Sequence, residues 1–337
     1  MKAVGYLRSL PVSDPASLQD FELPEPPVGA RDLLVRVEAI SVNPVDAKMR
    51  KRSQPSGDTP AILGWDAAGI VERVGPAVTL FKAGDKVWYA GSIVRPGANS
   101  ELHAVDERIA SLRPVSLPVE AAAALPLTAI TAYEMLFDRL GLVAGDRAAG
   151  GTLLIIGGAG GVGSIAIQLA RALTGRTVIA TASRPETQAW CLELGAHAVI
   201  DHSLPLSQEL KRAGFGSADI IFSTNQTDHH WPEIVEALSP QGRVGVIDDP
   251  EPIDVRMLKR KSGSLAWELM FTRAIFETPD MIAQHRLLGE VARLVDAGQL
   301  RTTVSEVLGP INAANLRRAH ALIESNRTKG KLVLAGW

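Results

Sequence analysis

Thr152-Leu-Leu-Ile-Ile-Gly-Gly-Ala-Gly-Gly-Val-Gly-Ser164 decides how the rest of the chain is read. Residues 153–156 are a short, wholly apolar run, as a strand shows when both faces of its sheet are covered. Gly158, Gly160 and Gly163 follow in G-x-G-x-x-G spacing, and Ile165, Leu169 and Leu173 then recur at helical spacing until Gly175 stops the helix. Strand, tight turn and helix in this order form a pyrophosphate cradle. The first glycine permits the turn, the second lets backbone approach phosphate, and the third lets helix pack on strand. The free N–H groups and positive dipole end of the helix face the anion. Gly158, Ala159, Gly160, Gly161, Val162 and Gly163 are therefore expected to bind a dinucleotide.

Outward from that stretch, a chain of 337 residues is too long for one ordinary core, so two domains are expected. A hydrophobic content of 46% with 21% charged residues describes a globular protein, and a formal net charge of -2 offers nothing to nucleic acid or an anionic membrane. The single cysteine, Cys191, excludes an internal disulfide and any multi-cysteine zinc cluster. With no basic-then-apolar leader and no membrane-length apolar run, the expected location is the cytoplasm.

Up to about residue 118 the pattern is short strands punctuated by Gly and Pro. Residues 33–39, 69–74 and 86–90 read as strands of an all-β, barrel-like unit. Lys48, Arg50, Lys51 and Arg52 crowd the segment before Pro55, as a solvated loop or a docking patch for an anion. Composition turns Ala-rich and helical around 120–140. Strand-like runs at 153–156, 177–181, 198–200, 220–223 and 243–247 then alternate with helical stretches, the rhythm of a doubly wound parallel sheet. A sixth run lies near 264–269. Beyond it come a helix near 280–297, a strand near 303–308, a helix near 313–325 and a closing strand at 331–334.

Six ordered stretches carry a family likeness. They are Ser41-Val-Asn-Pro-Val-Asp46, Gly64-Trp-Asp-Ala-Ala-Gly-Ile-Val-Glu-Arg-Val-Gly75, Phe81-Lys-Ala-Gly-Asp-Lys-Val87, Leu125-Pro-Leu-Thr-Ala-Ile-Thr-Ala132, the 157–163 loop and Gly330-Lys-Leu-Val333. With them the chain resembles the medium-chain dehydrogenase/reductase superfamily, its zinc-free quinone oxidoreductase branch, and within that the zinc-type alcohol dehydrogenase-like group. The resemblance implies an α/β chain with a GroES-like β-barrel catalytic domain, 1–122 and 273–337, and a Rossmann doubly wound parallel-sheet nucleotide domain, 123–272. It also implies an active site in the cleft between them and a homodimer joined through the edge strand of the Rossmann sheet.

Against the zinc enzymes of that superfamily, Asn43 stands near a Cys position and Trp65-Asp66 replaces His-Glu; Trp65 cannot ligate. Adjacent His229 and His230 diverge as neighbours, with no third soft ligand near. No metal is expected. By resemblance Asn43 lies beside the nicotinamide, where its amide could donate to a substrate oxygen, or it is an ordinary turn residue before Pro44. Asp46 is a second catalytic candidate or a helix cap, and Thr128 borders the nicotinamide or bonds its own helix. Trp65, Trp88, Tyr89, Trp267 and Phe271 are candidates for an aromatic substrate pocket, or core.

Folds that prefer NAD place an acid on the ribose about 20 residues past the loop. Here Ser183 and Arg184 occupy that tip, and a hydroxyl with a guanidinium suits a 2′-phosphate, though Arg184 could merely start the helix before Pro185. NADPH is the expected cofactor, and Asn225, Ile247, Asp248 and Lys331 complete the cofactor set. The expected activity is zinc-independent, NADPH-dependent reduction of quinones or α,β-unsaturated carbonyls by hydride transfer. Two alternatives stay open: reduction of simple ketones or aldehydes, and a nucleotide-binding redox sensor with little turnover.

Overall fold

The computed structural model describes residues 1–55 and 57–337. Its chain opens with strands β1 (Lys2–Tyr6), β2 (Gln19–Glu22) and β3 (Asp32–Val42), then helix α1 (Pro44–Arg52). Strands β4 (Ala61–Ile62), β5 (Ala67–Val74), β6 (Lys86–Tyr89), β7 (Leu102–Asp106) and β8 (Ala110–Leu112) follow, with helices α2 (Val119–Ala123) and α3 (Pro126–Tyr133), the latter running into a π-helical turn, Glu134–Arg139. Next come β9 (Thr152–Ile156), α4 (Gly161–Leu173), β10 (Thr177–Thr181), α5 (Pro185–Glu193), β11 (Ala198–Ile200) and α6 (Leu206–Arg212). The alternation continues through β12 (Ala218–Ser223), α7 (Thr227–Ala237), β13 (Leu238–Val246) and β14 (Ser264–Trp267). The chain closes with α8 (Thr272–Ile275), α9 (Ala283–Asp296), β15 (Val304–Val307), α10 (Ala313–Glu324) and β16 (Lys331–Ala335).

Two units result: Met1–Ile130 with Phe271–Trp337, and Thr131–Met270. The first crossing falls later in the chain than residue 123, because the Ala-rich helix α2 packs on β3 and β5 of the first unit. That unit holds a three-stranded sheet, β2-β1-β4, and a seven-stranded one, β15-β16-β3-β5-β6-β8, with β7 also paired to β3. Strand β3 is its spine: eleven residues, nearly all buried, bonded on both edges. The last strand, β16, enters this sheet antiparallel to β3, with Leu332 opposite Val42 and Leu334 opposite Ile40.

The second unit is a six-stranded, all-parallel sheet in the order β11-β10-β9-β12-β13-β14. The order reverses at β9, the strand of the glycine loop, which is where such sheets hold their ligands. Leu153 to Ile156 are shut from solvent, as an apolar run with no polar face requires. Leu154, Ile156, Ile179, Ile221, Val244 and Val246 pack against Leu206 and Leu210 of α6 and Trp231 and Ile234 of α7.

The basic run before Pro55 needs correction. It is not a loop but the end of α1, which packs on α10. Helical period turns Arg50 fully inward, where its guanidinium bonds Glu324, the Leu10 carbonyl and, at 3.4 Å, His320 Nδ1. Lys51 adds a 2.9 Å pair to Glu324.

Candidate active site and nucleotide cradle

At the end of β9 the chain turns on Gly157, whose φ of +77° lies in the left-handed region that favours glycine. The Gly158 N–H donates to Thr181 O at 3.1 Å and the Gly157 N–H to Thr181 Oγ1 at 3.0 Å, which fastens the turn to the tip of β10. The three motif glycines are glycine for different reasons. A Cβ on Gly158 would meet the Ala180 Cβ at 2.7 Å, and one on Gly163 would meet Gly157 O at 2.3 Å. A Cβ on Gly160 would touch only Gly157 O, at 3.4 Å. Protein fills the space at the first and third; the second faces open room. Helix α4 begins there: Ser164 N–H makes the first bond back to Gly160 O, so the N–H groups of Gly161, Val162 and Gly163 have no helical carbonyl to bond. Gly160, Gly161 and Val162 are part-exposed, whereas Gly158, Ala159 and Gly163 are buried.

Beyond β10, Ser183 is exposed and Arg184 is about two-fifths exposed, its Nε 3.3 Å from Glu186. No acid occupies the tip itself. Asn225 is exposed just past β12, and its Oδ1 would lie 2.4 Å from a Cβ on Gly157, so it stands against the glycine turn. Asp248 is committed elsewhere: it accepts the Thr227 N–H at 3.0 Å and the Thr227 hydroxyl, and so caps α7. Ile247, half-buried, precedes it.

Lys331 is in the first unit, at the centre of a closed polar cluster. Its ammonium pairs with Asp66 Oδ2 at 3.1 Å and also donates to Asn43 Oδ1 and the Val42 carbonyl. Asp66 Oδ2 further accepts from Ser41 Oγ at 2.6 Å and Asn43 Nδ2 at 3.2 Å, while Oδ1 takes the Leu127 N–H at 3.2 Å. Four donors on one buried carboxylate favour its ionised form. Burial alone pushes Asp66 up and Lys331 down, and each opposes that shift in the other.

This cluster recasts the three candidate catalytic side chains. The Asn43 amide has both hydrogens engaged, on Asp66 and the Ser41 carbonyl, and its oxygen on Lys331. Asp46 accepts the Asn43 N–H at 2.7 Å and the Gly64 N–H at 3.0 Å, a helix-capping role; burial pushes its carboxyl up to about 7. Thr128 donates to the Leu125 carbonyl at 3.1 Å, within its own helical turn. The alternatives of cap and helix-bonding threonine describe Asp46 and Thr128 as they stand here.

Trp65 meets Phe271 edge-on at 6.3 Å and donates its indole N–H to Ser92 O. Trp88 is wholly enclosed, and Tyr89 stacks on His103 at 5.4 Å, with its hydroxyl 3.1 Å from His103 Nδ1. Trp267 is in the second unit, 51% exposed on the edge strand β14. Sequence reasoning passed over Asp66 and Ser41. The available signal was a carboxylate between Trp65 and Ala67, inside a stretch otherwise apolar enough for core.

Comparison with known proteins identifies the family. Residues 29–110 match the alcohol dehydrogenase GroES-like domain and residues 194–334 the zinc-binding dehydrogenase domain. A zinc-type alcohol dehydrogenase-like protein of Staphylococcus epidermidis is 38% identical over 336 residues, 99% of each chain. A quinone oxidoreductase of Pseudomonas aeruginosa is 31% identical across 94% of each. The crystal structure of a putative zinc-dependent alcohol dehydrogenase protein from Rhizobium etli CFN 42 superposes with a TM-score of 0.95 at 56% identity, covering 100% of this chain and 98% of that one. Escherichia coli quinone oxidoreductase complexed with NADPH gives 0.83 at 25%, covering 99% and 100%. The chain therefore belongs to the medium-chain dehydrogenase/reductase superfamily, in its zinc-type alcohol dehydrogenase-like group. It is an oxidoreductase on a fold built for a nicotinamide nucleotide.

Zinc, which those names imply, does not fit the residues present. Trp65 offers no lone pair, the Asn43 oxygen faces an ammonium, and Asp66 is already neutralised by Lys331. A dication there would lie against the Lys331 charge. Among the described residues no three His, Cys, Asp or Glu side chains are grouped to hold a metal.

Proposed function

We propose that the chain is a zinc-independent, NADPH-dependent reductase of quinones or α,β-unsaturated carbonyls. The observation that carries this reading is the acid-free tip of β10: Thr181 is bonded to the glycine turn, and Ser183 and Arg184 follow it in the chain. Glu186 is an exposed partner of Arg184, and a surface pair of this kind is worth little against a phosphate dianion. The N–H groups at the start of α4 would hold the pyrophosphate and Ser183 with Arg184 the 2′-phosphate; a bound nicotinamide supplies the hydride. Without donors for a Lewis acid, charge developing on a substrate oxygen has only hydrogen bonds to meet it. That favours acceptors already activated by conjugation. The Pseudomonas relative named as a quinone oxidoreductase and an Arabidopsis thaliana relative named as an NADPH-dependent alkenal/one oxidoreductase, 28% identical, support the same class.

NADPH oxidation against a panel of quinones, enones and simple ketones tests the reading; turnover confined to simple ketones would overturn the substrate class. Arg184→Ala should raise the Michaelis constant for NADPH by about ten- to a hundredfold and leave NADH nearly unchanged. Equal effects on both cofactors would remove Arg184 from phosphate recognition.

The same reading includes a homodimer through β14, the edge of the parallel sheet. That strand has no proline, and Trp267 and Leu269 expose apolar surface beside its unpaired backbone. Of the neighbouring cations, Lys261 is spent on the Val235, Glu236 and Leu238 carbonyls. Light scattering at micromolar protein decides: a mass matching one 35.9 kDa chain refutes the dimer. Leu265→Pro should shift a dimer toward monomer by deleting a ladder donor. Among the described residues no helix is long and apolar enough to cross a membrane.

A further inference from the structure

A cleft of about 880 Å³ opens in the first unit between β3, the start of α2 and the end of β16. Backbone bonds fix its walls. The Trp337 indole N–H donates to the Val37 carbonyl at 3.1 Å, and the Gly336 N–H to the Glu38 carbonyl at 2.9 Å. The Arg113 N–H donates to the Lys86 carbonyl at 3.0 Å, which ties the residue after β8 to β6. Glu120 stands in the first turn of α2, which packs on β3 and β5.

Most of the charged side chains lining this cleft are engaged. Arg36 bonds Glu72 at 2.6 Å and Glu38 at 3.4 Å, and Glu101 Oε2 accepts the Lys2 N–H at 2.7 Å. Arg113 and Glu120 are not. Among the described residues the Arg113 guanidinium has no hydrogen bond or ion pair, and its Nε and Nη1 are shut from solvent without an acceptor. The Glu120 carboxylate, half-buried, has no partner among them either, and no ion pair joins the two. Buried donors normally find acceptors. A cation and an anion left open in one cleft, unpaired with each other, match a ligand that carries both complementary charges.

We propose that this cleft binds a small zwitterion, an α-amino acid with an apolar side chain. Its carboxylate meets Arg113, its ammonium meets Glu120, and its side chain lies against Trp337 and Val119. A guanidinium presents the planar fork that suits a carboxylate. The Trp337 indole N–H is committed to Val37, so the ring offers the ligand its apolar surface. Leu102 and Val119 add more of the same. A plain anion would face the Glu120 charge, and a plain cation would face that of Arg113. The site is independent of the nucleotide reading, because Arg113, Glu120 and Trp337 all belong to the first unit and the glycine turn to the second.

Nuclear magnetic resonance of the indole N–H groups reads the cleft without turnover. The chain has 6 tryptophans, and Trp337→Phe identifies the signal of Trp337. The probe is L-phenylalanine, with hydrocinnamate, which lacks the ammonium, and phenethylamine, which lacks the carboxylate. Phenylalanine should move the Trp337 signal saturably. Either analogue should bind at least about tenfold more weakly, the scale of one charge-assisted contact. Arg113→Met should weaken phenylalanine by about ten- to a hundredfold and leave phenethylamine nearly unchanged. Glu120→Gln should weaken phenylalanine without weakening hydrocinnamate. The analogue series needs only the wild type, so it decides even where a variant does not fold. A Trp337 signal unmoved at roughly 10 mM phenylalanine, or moved alike by all three probes, overturns the proposal. Hydrocinnamate binding as tightly as phenylalanine overturns it too, and reduces the cleft to an anion site. Each of these failures leaves the NADPH reading standing.

Discussion

Two polar regions, one in each unit, treat their atoms in opposite ways. In the first, Asp46, Asp66, Lys331, Asn43 and Ser41 are turned inward and spent on each other and on backbone. In the second, the helix-start N–H groups, Ser183, Arg184 and Asn225 lie at the carboxyl ends of the strands, where several polar groups remain available. Closed networks hold a fold together; unspent donors recognise ligands. Residue type does not separate the two cases, since an asparagine sits in each. The partner inventory does.

The strongest way to break this contrast is Lys331→Met. It leaves Asp66 buried without its cation and should cost roughly 3–5 kcal/mol of stability, while the double change Asp66→Asn with Lys331→Met should recover much of the loss. Urea unfolding reads both. A single variant within 1 kcal/mol of the wild type, roughly the scale of a surface pair, would mean the cluster is not closed.

Next in size is a buried acid pair that belongs to the second unit yet behaves like the interior of the first. Glu268 follows β14, lies 2.7 Å from Arg139 Nε, and is buried within reach of the charge of Glu134 in the π-helical turn. It is pushed up to about 8, chiefly by burial and then by the Glu134 charge. An acid raised above its ordinary 4.5 contributes stability fully at pH values below 4.5, and that contribution is lost as pH rises through 8. The unfolding free energy between pH 5 and 9 should fall by an amount on the order of 2 kcal/mol, and Glu134→Gln should flatten the fall. A flat wild-type profile would show that the two carboxyls do not share a proton.

Smaller effects separate the glycines. Gly163→Ala forces a Cβ to within 2.3 Å of Gly157 O and should destabilise the unit by about 1–3 kcal/mol. Gly160→Ala meets nothing closer than 3.4 Å, so it should change stability by only about 0.5 kcal/mol and weaken nucleotide binding instead. Equal losses of stability at both positions would erase the distinction between packing and ligand glycines. The smallest expected effect is none: dialysis against a strong chelator should leave activity intact, and elemental analysis showing about one tightly held zinc per chain would overturn the argument from donors.

How much of this was legible in the sequence follows the same division. The β10 strand and the 198–200 strand were readable to the residue, because short apolar runs between glycine and proline breaks leave little choice. The β1, β2 and β4 strands were not, since their pairing joins Lys2 to Glu22 and Tyr6 to Ala61 and leaves no periodic mark. At the site, the glycine turn was legible because its chemistry is local. Lys331 is bonded to Val42 and Asn43, almost 290 positions away, and no spacing rule reaches that far. Arg50 eluded a loop reading for the same reason: Glu324 and His320, which take it inward, arrive only with α10.

The late return of β16 sets an order of assembly. The second unit is one continuous segment and can close as soon as Met270 is made, but the first waits for its last two strands, β15 and β16, and for the cation of Asp66. At translation rates of about 5–20 residues per second, the sixty-odd residues after Met270 take roughly 3–13 s to synthesise. During that interval β3 has an open edge and Asp66 lacks its lysine. On the ribosome, the nascent chain is therefore expected to carry a folded second unit behind an unfinished first one, the stretch most in need of a chaperone.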